Sequence, residues 1–214
     1  MTAYLYLHGF ASSPASTKAQ YFRALWQTWG WNLVIPDLNQ PDFAHFTLSR
    51  AIQQITEGIT DAGDPEVILV GSSLGGLVAS WVAESCPQVH ALVLLAPAFE
   101  FAAQWWPRLN PSEQRAWQET GWRWVHHYGY GDPQPLHYGF VEDLRRYQDD
   151  HLRRPLPTLI LHGQWDDTIP LSASQAYAQS RPWVQLLSLP SDHALTDVLP
   201  EIGQQVQRFL TTVG

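Results

Sequence analysis

Gly71-Ser72-Ser73-Leu74-Gly75 holds a serine with a glycine two residues to either side. That arrangement suits acyl transfer, in which a side-chain hydroxyl attacks a carbonyl carbon. The hydroxyl is best presented from a sharp strand-to-helix turn, which is too crowded for side chains at the flanking positions. The surroundings agree. Val67-Ile68-Leu69-Val70 reads as a strand immediately before, and Leu74 to Glu84 as a helix immediately after. Gly76 and Ala79 would let that helix approach the strands closely. Ser72 is adjacent, but only Ser73 has glycine at both flanking positions. A phosphate loop would need Gly-x-x-x-x-Gly-Lys-Ser/Thr or Gly-x-Gly-x-x-Gly, and neither is present.

A serine needs a base, and the base needs an orienting acid. Where a serine is presented at such a turn, the chain order is Ser, then Asp or Glu, then His. Downstream of Ser73, one apolar run ends in Leu161-His162-Gly163-Gln164-Trp165-Asp166-Asp167-Thr168-Ile169-Pro170, and the next leads to Ser191-Asp192-His193-Ala194-Leu195. Of the 9 histidines, only His193 stands where this order requires a base. Asp166 and Asp167 are neighbours, and spacing alone leaves both open as the acid. Two backbone N–H groups are expected to hold the oxyanion, one from Leu74 and one from Phe10 in the loop after the first strand. The His8 side chain is expected to brace that loop, and Asp37 to be structural.

These residues need a frame. Tyr4-Leu5-Tyr6-Leu7, Asn32 to Ile35, Val67 to Val70, Ala91 to Leu95, Thr158 to Leu161 and Val184 to Leu187 are six apolar runs. Helical spacing separates them: Ala19, Phe22, Trp26 and Trp29, then Leu48, Ile52, Ile55 and Ile59 behind a Thr47 cap. Ser172 to Gln179 and Ile202, Val206, Phe209 and Leu210 continue the alternation. Strands apolar on both faces indicate a parallel sheet covered on both sides, hence a doubly wound, mainly parallel six-stranded α/β architecture. Its active site lies at the C-terminal ends of the strands. Phe99 to Asp150 breaks the pattern with helical fragments at Ser112 to Glu119 and Phe140 to Tyr147 around a turn-rich centre, Gly129 to Pro135. It reads as a helical, Trp-rich cap, in which Trp105, Trp106 and Trp124 are candidate substrate-binding residues. The rival reading has these aromatics forming the cap's own small core, and Trp105-Trp106-Pro107 could instead form an exposed patch for a membrane or partner.

Composition narrows the classes. The 214 residues, 45% hydrophobic against 15% charged, suit one domain spanning 1–214 with an insertion at about 99–150. A net charge of -8 and a lone lysine, Lys18, argue against nucleic acid and anionic membranes as partners. Cys86 stands alone, which excludes an intrachain disulfide and a multi-cysteine metal site. Met1 to Phe10 reads as a strand and not a signal peptide, and the longest apolar run is far short of the roughly 20 residues that span a bilayer. A soluble, cytoplasmic protein is expected.

With these residues in place, the chain resembles the α/β-hydrolase superfamily, and within it the small YqiA/YcfP-like serine esterases. The resemblance rests on Tyr6-Leu7-His8-Gly9-Phe10-Ala11-Ser12-Ser13-Pro14, on Ser16 and Lys18-Ala19, and on Gly71-Ser72-Ser73-Leu74-Gly75-Gly76. The His-Gly-x-x-Asp-x-x-Ile-Pro stretch matches the acid-bearing loop of the superfamily and selects Asp166 over Asp167. Asp192-His193 matches its histidine loop. The resemblance implies a reduced α/β-hydrolase fold and a Ser73-His193-Asp166 hydrolase of carboxylic esters or acyl thioesters, with no metal or organic cofactor. The Trp-rich insertion is longer than a minimal esterase needs. Carbon–carbon bond or peptide hydrolysis and perhydrolysis are compatible with the same triad, and a non-catalytic binding protein of the same fold is the alternative of a different class. Serine at the turn excludes an aspartate-nucleophile dehalogenase or epoxide hydrolase.

Overall fold

In the computed structural model, which describes residues 2–63 and 66–213, the apolar runs lie side by side as one sheet. Its strands are β1 (Thr2–Leu7), β2 (Leu33–Val34), β3 (Glu66–Ser72), β4 (Val89–Leu95), β7 (Thr158–Gly163) and β8 (Val184–Leu189). They are ordered β2-β1-β3-β4-β7-β8, and every neighbouring pair is parallel. Parallel neighbours require crossover helices, which bury both faces of the sheet and explain the unbroken apolar runs. α1 (Thr17–Thr28) and α8 (Leu199–Val213) cover one face through Phe22, Trp26, Ile202 and Val206. α2 (Leu48–Ala62), α3 (Leu74–Ser85) and α7 (Leu171–Gln179) pack on the other through Ile55, Val78 and Ala173. The strand order reverses between β1 and β3, where such a sheet opens a crevice at its C-terminal edge.

The expected cap holds at α2, where the Thr47 hydroxyl accepts the Arg50 N–H at 3.1 Å; the helix ends at Gly63, at φ 66. β2 is shorter than Asn32 to Ile35, because it is an edge strand that Pro36 stops.

The segment between β4 and β7 departs from the helical expectation. It holds α4 (Phe101–Trp105), α5 (Pro111–Thr120) and α6 (Gly139–Leu144), together with an antiparallel hairpin of β5 (Trp122–His126) and β6 (Pro133–His137). The alternation of Trp122, Arg123, Trp124, Val125 and His126 carries period two, and the turn-rich stretch is the hairpin's connection. Trp117 anchors this segment: its ring is fully buried and its indole N–H donates to the Leu136 carbonyl at 3.0 Å. α6 is pinned to α2 by buried Asp143, whose carboxylate accepts the Ser49 N–H at 2.8 Å and the Ser49 hydroxyl. Asp143→Ala removes the carboxylate that accepts the Ser49 N–H, while the Ser49 hydroxyl keeps the Tyr147 hydroxyl at 2.6 Å, so urea unfolding should show a loss of about 1–3 kcal/mol. An unchanged midpoint would mean that this tie contributes nothing.

Candidate active site

Ser73 occupies the junction of β3 and α3 with φ 53 and ψ -121, a conformation that costs a residue with a β-carbon about 1–3 kcal/mol. The backbone holds it there. Its N–H donates to Leu95 O at 2.9 Å, and its carbonyl accepts from Gly76 N at 2.9 Å and Ala98 N at 3.0 Å. A β-carbon at Gly75 would collide with the Leu7 and His8 carbonyls, and one at Gly71 with the Gly75 carbonyl. Glycine is therefore required at both positions flanking the serine. Ser72 and Ser73 both border a cavity of about 870 Å³, but Ser72 is buried and Ser73 is the more exposed of the two.

His193 follows β8 and meets Ser73 from the side. Its Nε2 lies 3.0 Å from Ser73 Oγ, and its Nδ1 lies 2.7 Å from Asp166 Oδ2. An ionised carboxylate can only accept, so Nδ1 carries the hydrogen and Nε2 turns its lone pair to the serine hydroxyl. That geometry lets the imidazole receive the hydroxyl proton. The Asp166 side chain is 0% exposed, and its other oxygen accepts the Thr168 and Ile169 N–H groups at 2.9 and 2.8 Å. Burial alone would raise its pKa. The hydrogen bonds from His162 and His193 outweigh burial and hold the carboxyl well below the usual carboxylate range. Asp166 is ionised wherever His193 works as a base. Asp167 is exposed at the pocket mouth and, among the described residues, accepts only the Thr168 hydroxyl, at 3.2 Å.

Sequence reasoning missed His162. This buried residue has its Nε2 3.0 Å from the Ile169 carbonyl and 3.1 Å from Asp166 Oδ2. A carbonyl accepts only, so Nε2 bears the hydrogen, and Nδ1 accepts the Ser174 hydroxyl at 2.8 Å. Asp166 is thus held by two imidazoles. Ser174 lies 12 residues beyond His162, on α7, and no local pattern joins them.

On the opposite side, His8 braces the loop after β1. Its Nε2 accepts the Leu38 N–H and its Nδ1 donates to the Gly9 carbonyl, both at 3.0 Å. That carbonyl shares a peptide plane with the Phe10 N–H, so His8 sets the direction of the Phe10 donor. Leu74 is the first residue of α3, and its N–H is one of the free donors of a helix N-terminus. The loop that carries Phe10 and the N-terminus of α3 meet at Ser73, where Gly9 packs against the serine. Asp37 lies on the far side of His8, and its carboxylate accepts from the Asn39 backbone at 3.0 Å and the Asn39 side chain at 2.8 Å.

Trp105 and Trp124 line the cavity together with Phe10, Tyr128 and Trp165. Trp106 does not. Its ring packs against Trp117 and Tyr138 at 6.3 and 6.0 Å beneath the Arg145 guanidinium, because the next residue on a helical backbone points about 100° away from Trp105 and so meets the core of the insertion. Trp165 is the aromatic that the sequence did not single out. It stands on the loop of Asp166 and is 67% exposed, with Trp124 and Tyr128 of the same cavity lining at 69% and 79%.

The family described as "Uncharacterised protein family (UPF0227)" matches residues 3–211. The chain belongs to UPF0227. This member is 32% identical over 109 residues to the pimeloyl-[acyl-carrier protein] methyl ester esterase of Klebsiella pneumoniae subsp. pneumoniae, a match covering 42% of each chain. It therefore aligns with less than half the length of that relative. Mouse alpha/beta hydrolase domain-containing protein 10 superposes with a TM-score of 0.83 at 20% identity, covering 99% of this chain and 90% of that one. Est1E of Butyrivibrio proteoclasticus with ferulic acid bound gives 0.81 at 19% identity, covering 100% and 89%. These likenesses establish the α/β-hydrolase fold for the UPF0227 chain. Among its described residues, no helix is long and apolar enough to cross a membrane.

Proposed function

We propose that this UPF0227 protein is a serine hydrolase that cleaves carboxylic esters and acyl thioesters through an acyl-enzyme. The observation that carries the reading is the unbroken hydrogen-bonded chain Asp166–His193–Ser73, at 2.7 and 3.0 Å, ending on a serine that faces an 870 Å³ cavity. His193 takes the Ser73 proton as Oγ bonds to the substrate carbonyl carbon. The electron pair of the carbonyl moves onto its oxygen, which the Phe10 and Leu74 amides hold, each donor contributing roughly 3 kcal/mol. Asp166 keeps the imidazole oriented and stabilises its protonated form. Collapse expels the alcohol or thiol, which takes the proton from His193. Water then repeats the sequence and releases the acid. The relative named as a methyl ester esterase favours carboxylic esters as the substrate class.

Trp105, Trp124, Tyr128 and Trp165 give the cavity an aromatic wall that a bulky acyl chain would cover. A panel of p-nitrophenyl esters and acyl-CoA thioesters of increasing chain length tests the reading. kcat/KM should rise from acetate to medium chains as each buried methylene adds about 0.8 kcal/mol. Absence of turnover on every ester and thioester would overturn it and leave a hydrolase of another bond or a binding protein of this fold.

A further inference from the structure

Lys18 is the only lysine in the chain. It stands in the first turn of α1, directly after the loop that carries the Phe10 amide. Its side chain runs along the pocket wall to the other side of the site, where the ammonium donates to the Ala194 carbonyl at 2.8 Å. Ala194 follows His193.

The His193 loop needs such a tie. It has no regular structure between β8 and a short 3-10 turn at Thr196–Val198. Asp192 Oδ1 accepts the Ala194 and Leu195 N–H groups at 2.8 and 3.3 Å, and the Ser191 hydroxyl donates to Asp197. Those bonds are internal to the loop and its turn. Trp165 N–H reaches Ser191 O at 3.0 Å from the acid loop. Leu195 sits at φ 57, a left-handed conformation that persists only where surrounding contacts over-determine it. Lys18 supplies the contact from the oxyanion side. Burial pulls its ammonium down to about 8, while the Asp166 and Asp192 carboxylates oppose the fall, so the bond to Ala194 is charge-assisted at neutral pH.

We propose that Lys18 is a positioning residue: it ties the His193 loop to the start of α1 and so fixes the imidazole-bearing loop against Ser73 and the oxyanion amides. The proposal rests on the acyl-transfer reading above. Three groups must meet one carbonyl: the Ser73 hydroxyl, the His193 lone pair and the Phe10 amide. Two of them stand on loops that Lys18 joins. A displacement of the base by about 1 Å would cost up to roughly a hundredfold in rate while leaving the binding surface intact.

The test compares wild type, Lys18→Met, Lys18→Arg and Ser73→Ala in p-nitrophenyl butyrate hydrolysis, with urea unfolding measured on each. Lys18→Met should lower kcat roughly ten- to hundredfold with KM within about twofold of wild type and an unchanged urea midpoint. Lys18→Arg keeps the charge and the donors and should recover most of the rate. Should the methionine variant unfold, Lys18→Gln, which keeps a donor without the charge, should show the same split between kcat and KM. Wild-type kcat in Lys18→Met, or a rise in KM alone, would overturn the proposal. So would an arginine variant as slow as the methionine one. If wild type is no faster than Ser73→Ala, the acyl-transfer reading falls and takes this proposal with it. Ser73-dependent turnover that Lys18→Met leaves intact removes this proposal alone.

Discussion

Ser73→Ala should reduce ester turnover by roughly 10⁴- to 10⁶-fold, to a residue of activity supplied by the oxyanion donors and the pocket. The loss falls on kcat, because the substrate still meets the same aromatic wall and the same two amides. Stability should barely move. Alanine carries the same β-carbon as serine, so it meets the same strain at φ 53, and the backbone bonds to Leu95, Gly76 and Ala98 do not involve the hydroxyl. A folded Ser73→Ala protein with near-normal kcat would place the nucleophile elsewhere. Ser72→Ala is the matched control, and it should retain turnover because Ser72 is buried and His193 Nε2 meets the Ser73 hydroxyl instead.

Asp166→Asn should cost about 10⁴-fold in kcat, the scale seen when a triad aspartate loses its charge. The amide nitrogen of asparagine can donate to His193 Nδ1, which favours the tautomer with hydrogen on Nε2. That tautomer has no lone pair for the Ser73 proton. The buried His162 Nε2–H also faces Asp166 Oδ2, so the substitution disturbs both imidazoles. Asp167→Asn should change kcat by less than about twofold, since its exposed carboxylate is bonded to the neighbouring Thr168 hydroxyl and His193 Nδ1 meets Asp166 instead. Measuring the two variants under one assay separates the neighbours. A larger loss at Asp167 would reverse the assignment of the acid.

How much of this was legible in the sequence depends on the range of the signal. The turn at Ser73 was readable because its cause is local: Gly71 and Gly75 are needed within four residues of one another, between an apolar run and a helix. The sheet was readable for a similar reason, since burial on both faces leaves unbroken apolar strands. Asp166 and Asp167 differ by one step along the chain, and only the direction of each side chain separates them. The hairpin of β5 and β6 lay under a segment read as helical, where prolines at 133 and 135 obscured a strand that pairs on one side only. Trp106 was grouped with Trp105 by adjacency, whereas neighbours on a helix point about 100° apart. The supports of the site were illegible. His162 with Ser174, and Lys18 with Ala194, meet across 12 and 176 residues and depend on the fold for contact.

The most direct measurement of the central claim is covalent labelling by a fluorophosphonate, followed by mass spectrometry of the digested protein. One adduct should appear, on the peptide bearing Ser73, absent from Ser73→Ala and strongly slowed in His193→Ala. An adduct on Ser72 or any other residue, or no adduct on a folded wild-type protein, would contradict the account.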